Sequence, residues 1–93
     1  MDMDMIYKAN NSLVDVRPPE NGRYSKEQLE QIVEGPFRLY FINDKITLVA
    51  RVYSPFDTAR LNLLATLLTA RAGYREIIMG NALVCRREHI FEE

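Results

Sequence analysis

The chain has 93 residues, of which 47% are hydrophobic and 27% charged, and its net charge is −1. This length suits one domain over residues 1–93, burying roughly 60–65% of its unfolded surface. The near-neutral charge gives no field that recruits nucleic acid or anionic membrane wholesale, and no apolar run nears the ~20 residues that span a bilayer. A single cysteine, Cys85, excludes an internal disulfide and fits a reducing compartment, so a cytoplasmic location is expected. The start MDMDM lacks the cationic and apolar regions of a signal peptide, and Met1 to Asp4 is expected to fray.

Met5 to Ala9 and Ser12 to Arg17 read as short strands around Asn10-Asn11, residues that tolerate a tight turn. With those two at the turn, Tyr7 faces Val14 and Met5 faces Val16, so one side of the hairpin can be buried. The loop from Pro18 to Gly22 breaks regular structure. Ser25 and Gln28 then have capping-box spacing, with Tyr24 and Leu29 as a hydrophobic staple. The helix they open runs from about Lys26 to Glu34, with Leu29, Ile32 and Val33 on one stripe, and Gly35-Pro36 stops it.

A second hairpin follows. A two-residue turn at Asn43-Asp44 pairs Phe41 with Ile46, Leu39 with Leu48 and Phe37 with Ala50. Phe37, Leu39, Phe41, Ile46 and Leu48 are therefore expected to share one buried face with Leu29, Ile32 and Val33. Ser54 to Asp57 is a candidate helix start or a loop before a helix beginning near Leu61. That helix extends to about Ala72 and carries a broad arc of Leu61, Leu63, Leu64, Leu67 and Leu68, wider than a minimal amphipathic stripe. Glu76 to Arg86 reads as a strand interrupted at Gly80-Asn81, and residues 87–93 are undecided. The expected fold is α+β: a mostly antiparallel sheet with two helices on one side, in the order β-β-α-β-β-α-β.

Chemistry-bearing patterns are sparse. His89 is the sole histidine and reads as a solvated residue near the end of the chain, while Cys85 in an apolar strand reads as a buried structural thiol. One Cys and one His cannot fill a structural zinc site, and no phosphate-binding glycine motif occurs, so neither catalysis nor a cofactor is expected. Arg71, Arg75, Arg86 and Arg87, with Tyr74 for stacking, form a candidate basic patch. Against that reading, the first two complement a helix C-terminus and the net charge disfavours nucleic acid. The polar side of the second helix is unusual, because Asn62, Thr66 and Thr69 lie there without any charge. They read as a contact surface or ligand shelf, or as groups that back-bond to the helix or contact a neighbouring loop.

The runs NGRYSKEQLEQIVEGPFRLYFIND, LNLLAT and EIIMGNALV resemble the bacterial and phage family catalogued as domain of unknown function 3846. The shared pattern is a helix ending in Val33-Glu34-Gly35, a hairpin, the segment Asn62 to Thr66, and the strand Ile78-Met79-Gly80-Asn81. Gly35-Pro36-Phe37 departs from the family's G-Y, and Tyr53 to Phe56 replaces its acidic turn. The resemblance implies an accessory protein of a mobile genetic element or phage, with no established activity or cofactor.

Together these readings favour a non-enzymatic interaction module that binds a protein partner or pairs with itself as a homodimer, without membrane or nucleic-acid binding. Its surface would be the second helix with the bend at Gly80-Asn81. The alternative is a small-ligand or nucleotide-binding protein whose polar shelf is Asn62, Thr66 and Asn81.

Overall fold

The computed structural model describes residues 4–19, 22–53 and 59–90. The expected tail Met1 to Met3 and the candidate helix start at Ser54 to Asp57 lie outside them. Seven elements follow in the expected order: β1 (Asp4–Tyr7), β2 (Leu13–Val16), α1 (Lys26–Val33), β3 (Phe37–Phe41), β4 (Ile46–Arg51), α2 (Leu63–Arg71) and β5 (Ala82–Arg86). The strands form one antiparallel sheet in the order β2-β1-β5-β4-β3, so the fold is α+β.

α1 starts where its capping chemistry places it. The Gln28 backbone N–H donates to the Ser25 hydroxyl at 3.1 Å, and the Gln28 side-chain oxygen accepts from the Ser25 N–H at 2.7 Å. Tyr24 and Leu29 are both buried in the cluster that roots the helix, as a staple requires. The helix ends at Glu34, which adopts the left-handed conformation at φ 67. Gly35 follows because an added Cβ there would lie 2.8 Å from Arg51 Nε.

Both hairpins are paired one residue away from the expected register. At the first, Asn11 N–H donates to Lys8 C=O at 3.0 Å and Asn11 is left-handed at φ 70, which gives a three-residue loop over Ala9, Asn10 and Asn11. Tyr7 therefore opposes Leu13, and Met5 opposes Asp15. At the second, Asn43 Oδ1 accepts from the Lys45 and Ile46 N–H groups at 2.7 and 2.8 Å, holding a loop over Asn43, Asp44 and Lys45. Phe41 then opposes Thr47, Leu39 opposes Val49, and Phe37 opposes Arg51.

Opposed residues of an antiparallel pair share a face, so this shift redistributes the core. Phe37 and Leu39 do pack with Leu29, Ile32 and Val33, together with Val49, Leu83 and Cys85. Leu48 lies on the opposite face with Tyr40, Ala50, Ala65, Ile78 and Ala82, and Phe41 is exposed. The helices therefore cover opposite faces, α1 one and α2 the other, which corrects the one-sided arrangement. The cause is legible in β4, whose run Thr47-Leu48-Val49-Ala50 is buried on both faces.

Three further expectations are corrected. Asp4 does not fray; it is buried at the start of β1. The last strand begins at Ala82 rather than Glu76, and in the chain before it Met79 forms an isolated bridge with Leu61. The bend precedes the strand because Gly80 has φ 72 and sits under the Tyr53 ring, where an added Cβ would meet the hydroxyl. After β5, Arg87–His89 form a 3-10 turn, and Ile90 bridges to Tyr24.

Candidate functional site

The second helix is turned the opposite way from what its hydrophobicity suggests. Asn62, Ala65 and Thr69 are fully buried, whereas Leu63 and Leu67 are 48% and 53% exposed. The polar groups face inward because an irregular stretch of chain needs their hydrogen bonds. Asn62 Oδ1 caps the helix by accepting from Ala65 N–H at 3.1 Å, and its amide nitrogen donates to the carbonyls of Tyr7 and Gly80 at 2.6 and 2.8 Å. Thr66 Oγ1 accepts from Ile78 N–H at 2.9 Å, and Thr69 Oγ1 donates back to Thr66 C=O. Asn81 Oδ1 accepts from Ala9 N–H at 3.2 Å.

Asn62, Thr66 and Asn81 thus meet around Gly80, but as an internal clamp between β1, α2 and the chain entering β5. An exposed polar shelf is not what they form; both donors of the Asn62 amide are already taken up by backbone carbonyls. The reading in which these groups bond to the helix or a neighbouring segment describes them.

Outward, the same rotation leaves an apolar strip. Leu63 and Leu67 lie one turn apart on the outer side of the helix, and Leu61, two residues before it, is 47% exposed. Beside it lies a cleft of about 540 Å³ lined by Tyr7, Leu64, Leu67, Leu68, Ala70 and Arg71. Its floor belongs to the sheet face of Tyr7, whose partner Leu13 is 48% exposed. No charged residue occurs between Leu61 and Ala70.

A polar cluster lies under the other face. The Asp4 carboxylate accepts from the Tyr24 hydroxyl at 2.8 Å and the Arg86 backbone N–H at 3.3 Å, and it lies 3.1 Å from His89 Nδ1. His89 is therefore not a solvated residue; its side chain is 14% exposed and held by Asp4. No local pattern marks Asp4, and the partnership joins residues at the two ends of the chain. Cys85 is buried as expected, and burial, with the Asp4 charge second, pushes its thiol up to about 12. At neutral pH it is a protonated thiol and a poor nucleophile. Among the described residues no group of three His, Cys, Asp or Glu side chains could hold a metal ion.

The four arginines of the candidate patch have separate surroundings. Arg71 borders the apolar cleft, Arg86 pairs with Glu88 at 2.9 Å, and Arg87 lies over the Phe41 ring at 4.6 Å. Arg75 instead joins Arg38 and Arg51 in a second cleft, of about 450 Å³, between the β3–β4 pair and residues 75–79. Two of those three arginines come from strands, where sequence spacing gives no hint that they converge.

No helix among the described residues is long and apolar enough to cross a membrane. No family, no curated protein and no solved structure matches the chain.

Proposed function

We propose that the chain is a non-enzymatic interaction module whose contact surface is the outward face of α2, and that its first partner is a second copy of itself. The observation that carries this reading is the exposure of Leu63 and Leu67, at 48% and 53%, on a helix whose polar groups face inward, with Leu61 just before the helix 47% exposed. Contiguous apolar exposure of this kind marks association surfaces. Between Leu61 and Ala70 the face carries no charge, and Arg71 follows Leu63 and Leu67 on the same row, so an antiparallel pairing of two copies keeps these cations at opposite ends. Leu63 with Leu67 and Leu64 with Leu68 form i, i+4 rows that interdigitate with the same rows of another helix, and two-fold pairing is the commonest symmetry of small homo-oligomers.

The non-enzymatic part is supported by the burial of Cys85 and by the tether of His89 to Asp4. A cytoplasmic setting is supported by the lone cysteine, and an accessory role in a mobile element by the motif resemblance alone. Sedimentation tests the central claim. The wild-type chain should form a dimer at micromolar concentration, and Leu67→Lys should sediment as a folded monomer. A wild-type chain that stays monomeric while binding no protein through this face would overturn the reading.

A further inference from the structure

The sheet order β2-β1-β5-β4-β3 leaves two edges, and the chain treats them differently. Ile42 N–H donates to Ile46 C=O at 3.0 Å, so in β3 the backbone groups of Arg38 and Tyr40 turn towards β4 and those of Leu39 and Phe41 turn outward. The Tyr74 hydroxyl accepts from the outward Phe41 N–H at 3.0 Å, and the Arg38–Glu76 ion pair draws the same segment alongside. That edge is guarded by a neighbouring stretch of chain.

The β2 edge has no such guard. Lys8 N–H donates to Ser12 C=O at 2.9 Å, which makes Ile6–Val14 and Asp4–Val16 the hydrogen-bonded pairs with β1. The N–H and C=O groups of Leu13 and Asp15 therefore face away from the sheet, and no group among the described residues takes them up. Arg17 continues the outward alternation, because a residue before proline is held extended. Leu13 and Val14 are exposed on the two sides of the strand. Asp15 and Arg17 are exposed as well, and neither enters an ion pair among the described residues.

An identical strand fits this edge in one antiparallel register. Centring a two-fold axis on Asp15 would set two carboxylates face to face. Centring it on Val14 would oppose Arg17 to Asn11, whose left-handed φ of 70 breaks the ladder. Centring it on Val16 opposes Asp15 of each copy to Arg17 of the other. Each such pair exchanges two backbone hydrogen bonds and joins opposite charges, and the two Val16 side chains meet at the closer position between them. Pro18-Pro19 then end the ladder.

From this complementarity we infer that the β2 edge is a second self-recognition surface: two copies pair β2 with β2, antiparallel about Val16, and join their sheets into one. The contact is separate from the α2 face and does not rest on it. So short a ladder belongs to the small-interface class, so it is the weaker of the two and forms at about 0.1–1 mM rather than at micromolar concentration. A chain with two different two-fold contacts links pairs into longer assemblies.

Sedimentation and amide NMR of the Leu67→Lys chain from about 10 µM to about 2 mM test it, since the α2 contact is removed there. That chain should pass from monomer to dimer over this range, with concentration-dependent shifts centred on residues 13–17. Asp15→Arg and Arg17→Asp should each weaken the pairing by about 10-fold or more, and an equimolar mixture of the two variants should pair again. Both positions are at the surface, and amide spectra report directly whether each variant keeps its fold. The same substitutions read the same amides in the wild-type background, so the test does not depend on the folding of the Leu67→Lys chain. No concentration-dependent shift at residues 13–17 up to about 2 mM overturns the inference. So does pairing that either charge reversal leaves unchanged, or a mixture of the two variants that stays monomeric. Loss of the edge contact leaves the micromolar α2 dimer in place, and loss of the α2 dimer leaves these shifts in place, so the two proposals stand or fall separately.

Discussion

The Tyr24 hydroxyl donates to the Asp4 carboxylate at 2.8 Å, across 20 residues of sequence, and both groups are almost fully buried. This bond ties the start of the chain to the residue just before α1, and the same carboxylate reaches His89 from the other end. A buried carboxylate deprived of a donor costs about 1–3 kcal/mol. Tyr24→Phe keeps the ring that packs with Leu29 and removes only that donor, so it should destabilise the protein by about that amount. Urea unfolding checks this. An unchanged midpoint would mean that the bond contributes nothing net.

The same interior makes the fold sensitive to alkali. Burial raises the Cys85 thiol to about 12 from 9.0, and the Tyr40 hydroxyl to about 12 from 10.0. The Tyr24 hydroxyl is raised as well, by burial first and by Asp4 second. For an acid whose folded-state value is raised, the folded chain holds the proton more tightly than the unfolded chain does. Its contribution is complete below the unfolded value and is lost as pH climbs towards the folded one. Stability should therefore be flat with respect to Cys85 up to about pH 9 and decline from there towards pH 12. Urea midpoints measured across that window should fall, and Cys85→Ala should make the fall shallower. In the native chain, iodoacetamide at pH 8 should label Cys85 far more slowly than it labels the unfolded chain.

Glu34 and Gly35 divide two tasks that one glycine often performs. Glu34 takes the left-handed conformation, while Gly35 makes room for the Arg51 side chain. Glu34→Gly relieves the side-chain penalty of that conformation and should stabilise the protein by about 0.5–1 kcal/mol, after the loss of unfolded-chain restriction. Gly35→Ala should destabilise it, since the new methyl must displace Arg51. Thermal melts of the two variants should move in opposite directions. Parallel shifts would contradict this division.

Much of the architecture was legible because local chemistry and global packing agree. The Ser25–Gln28 box and the Tyr24–Leu29 staple specify α1, and alternating residues specify both hairpins. Register was not legible. Asn11 and Asn43 each close a three-residue loop by a different device, and dipeptides such as Asn10-Asn11 and Asn43-Asp44 suit two-residue turns just as well. The one-residue difference moved Leu48 to the other face, and with it the second helix. The orientation of α2 was hidden for a related reason. Five leucines outweigh Asn62 and Thr69 in any hydrophobic pattern, yet the chain at Ile78 to Gly80 has backbone groups that only polar side chains can satisfy. The Asp4–His89 contact and the arginine cleft depend on strand pairing and chain closure, which no window of neighbouring residues contains.

Charge scanning along α2 gives the most direct check of its orientation. Leu67 is 53% exposed and Thr69 is 0% exposed, two positions apart on the same helix. If leucine content decided which side is buried, Leu67→Lys would place an ammonium in the core and unfold the protein, while Thr69→Lys would be harmless. The structure requires the reverse. Leu67→Lys should stay within about 0.5 kcal/mol of wild type for the monomeric chain, as surface substitutions do. Thr69→Lys should cost more than about 3 kcal/mol, because it buries an unpaired charge against Ala65 and the sheet. Asn62→Ala offers a third reading from the same helix. It removes the cap and the two bonds that the amide donates to the carbonyls of Tyr7 and Gly80, so it should cost at least about 2 kcal/mol, well above the ~1 kcal/mol of an exposed cap. Circular dichroism melts at low protein concentration would rank the three. A Thr69→Lys chain as stable as Leu67→Lys would mean that α2 is rotated, and the outward leucine face would be lost with it.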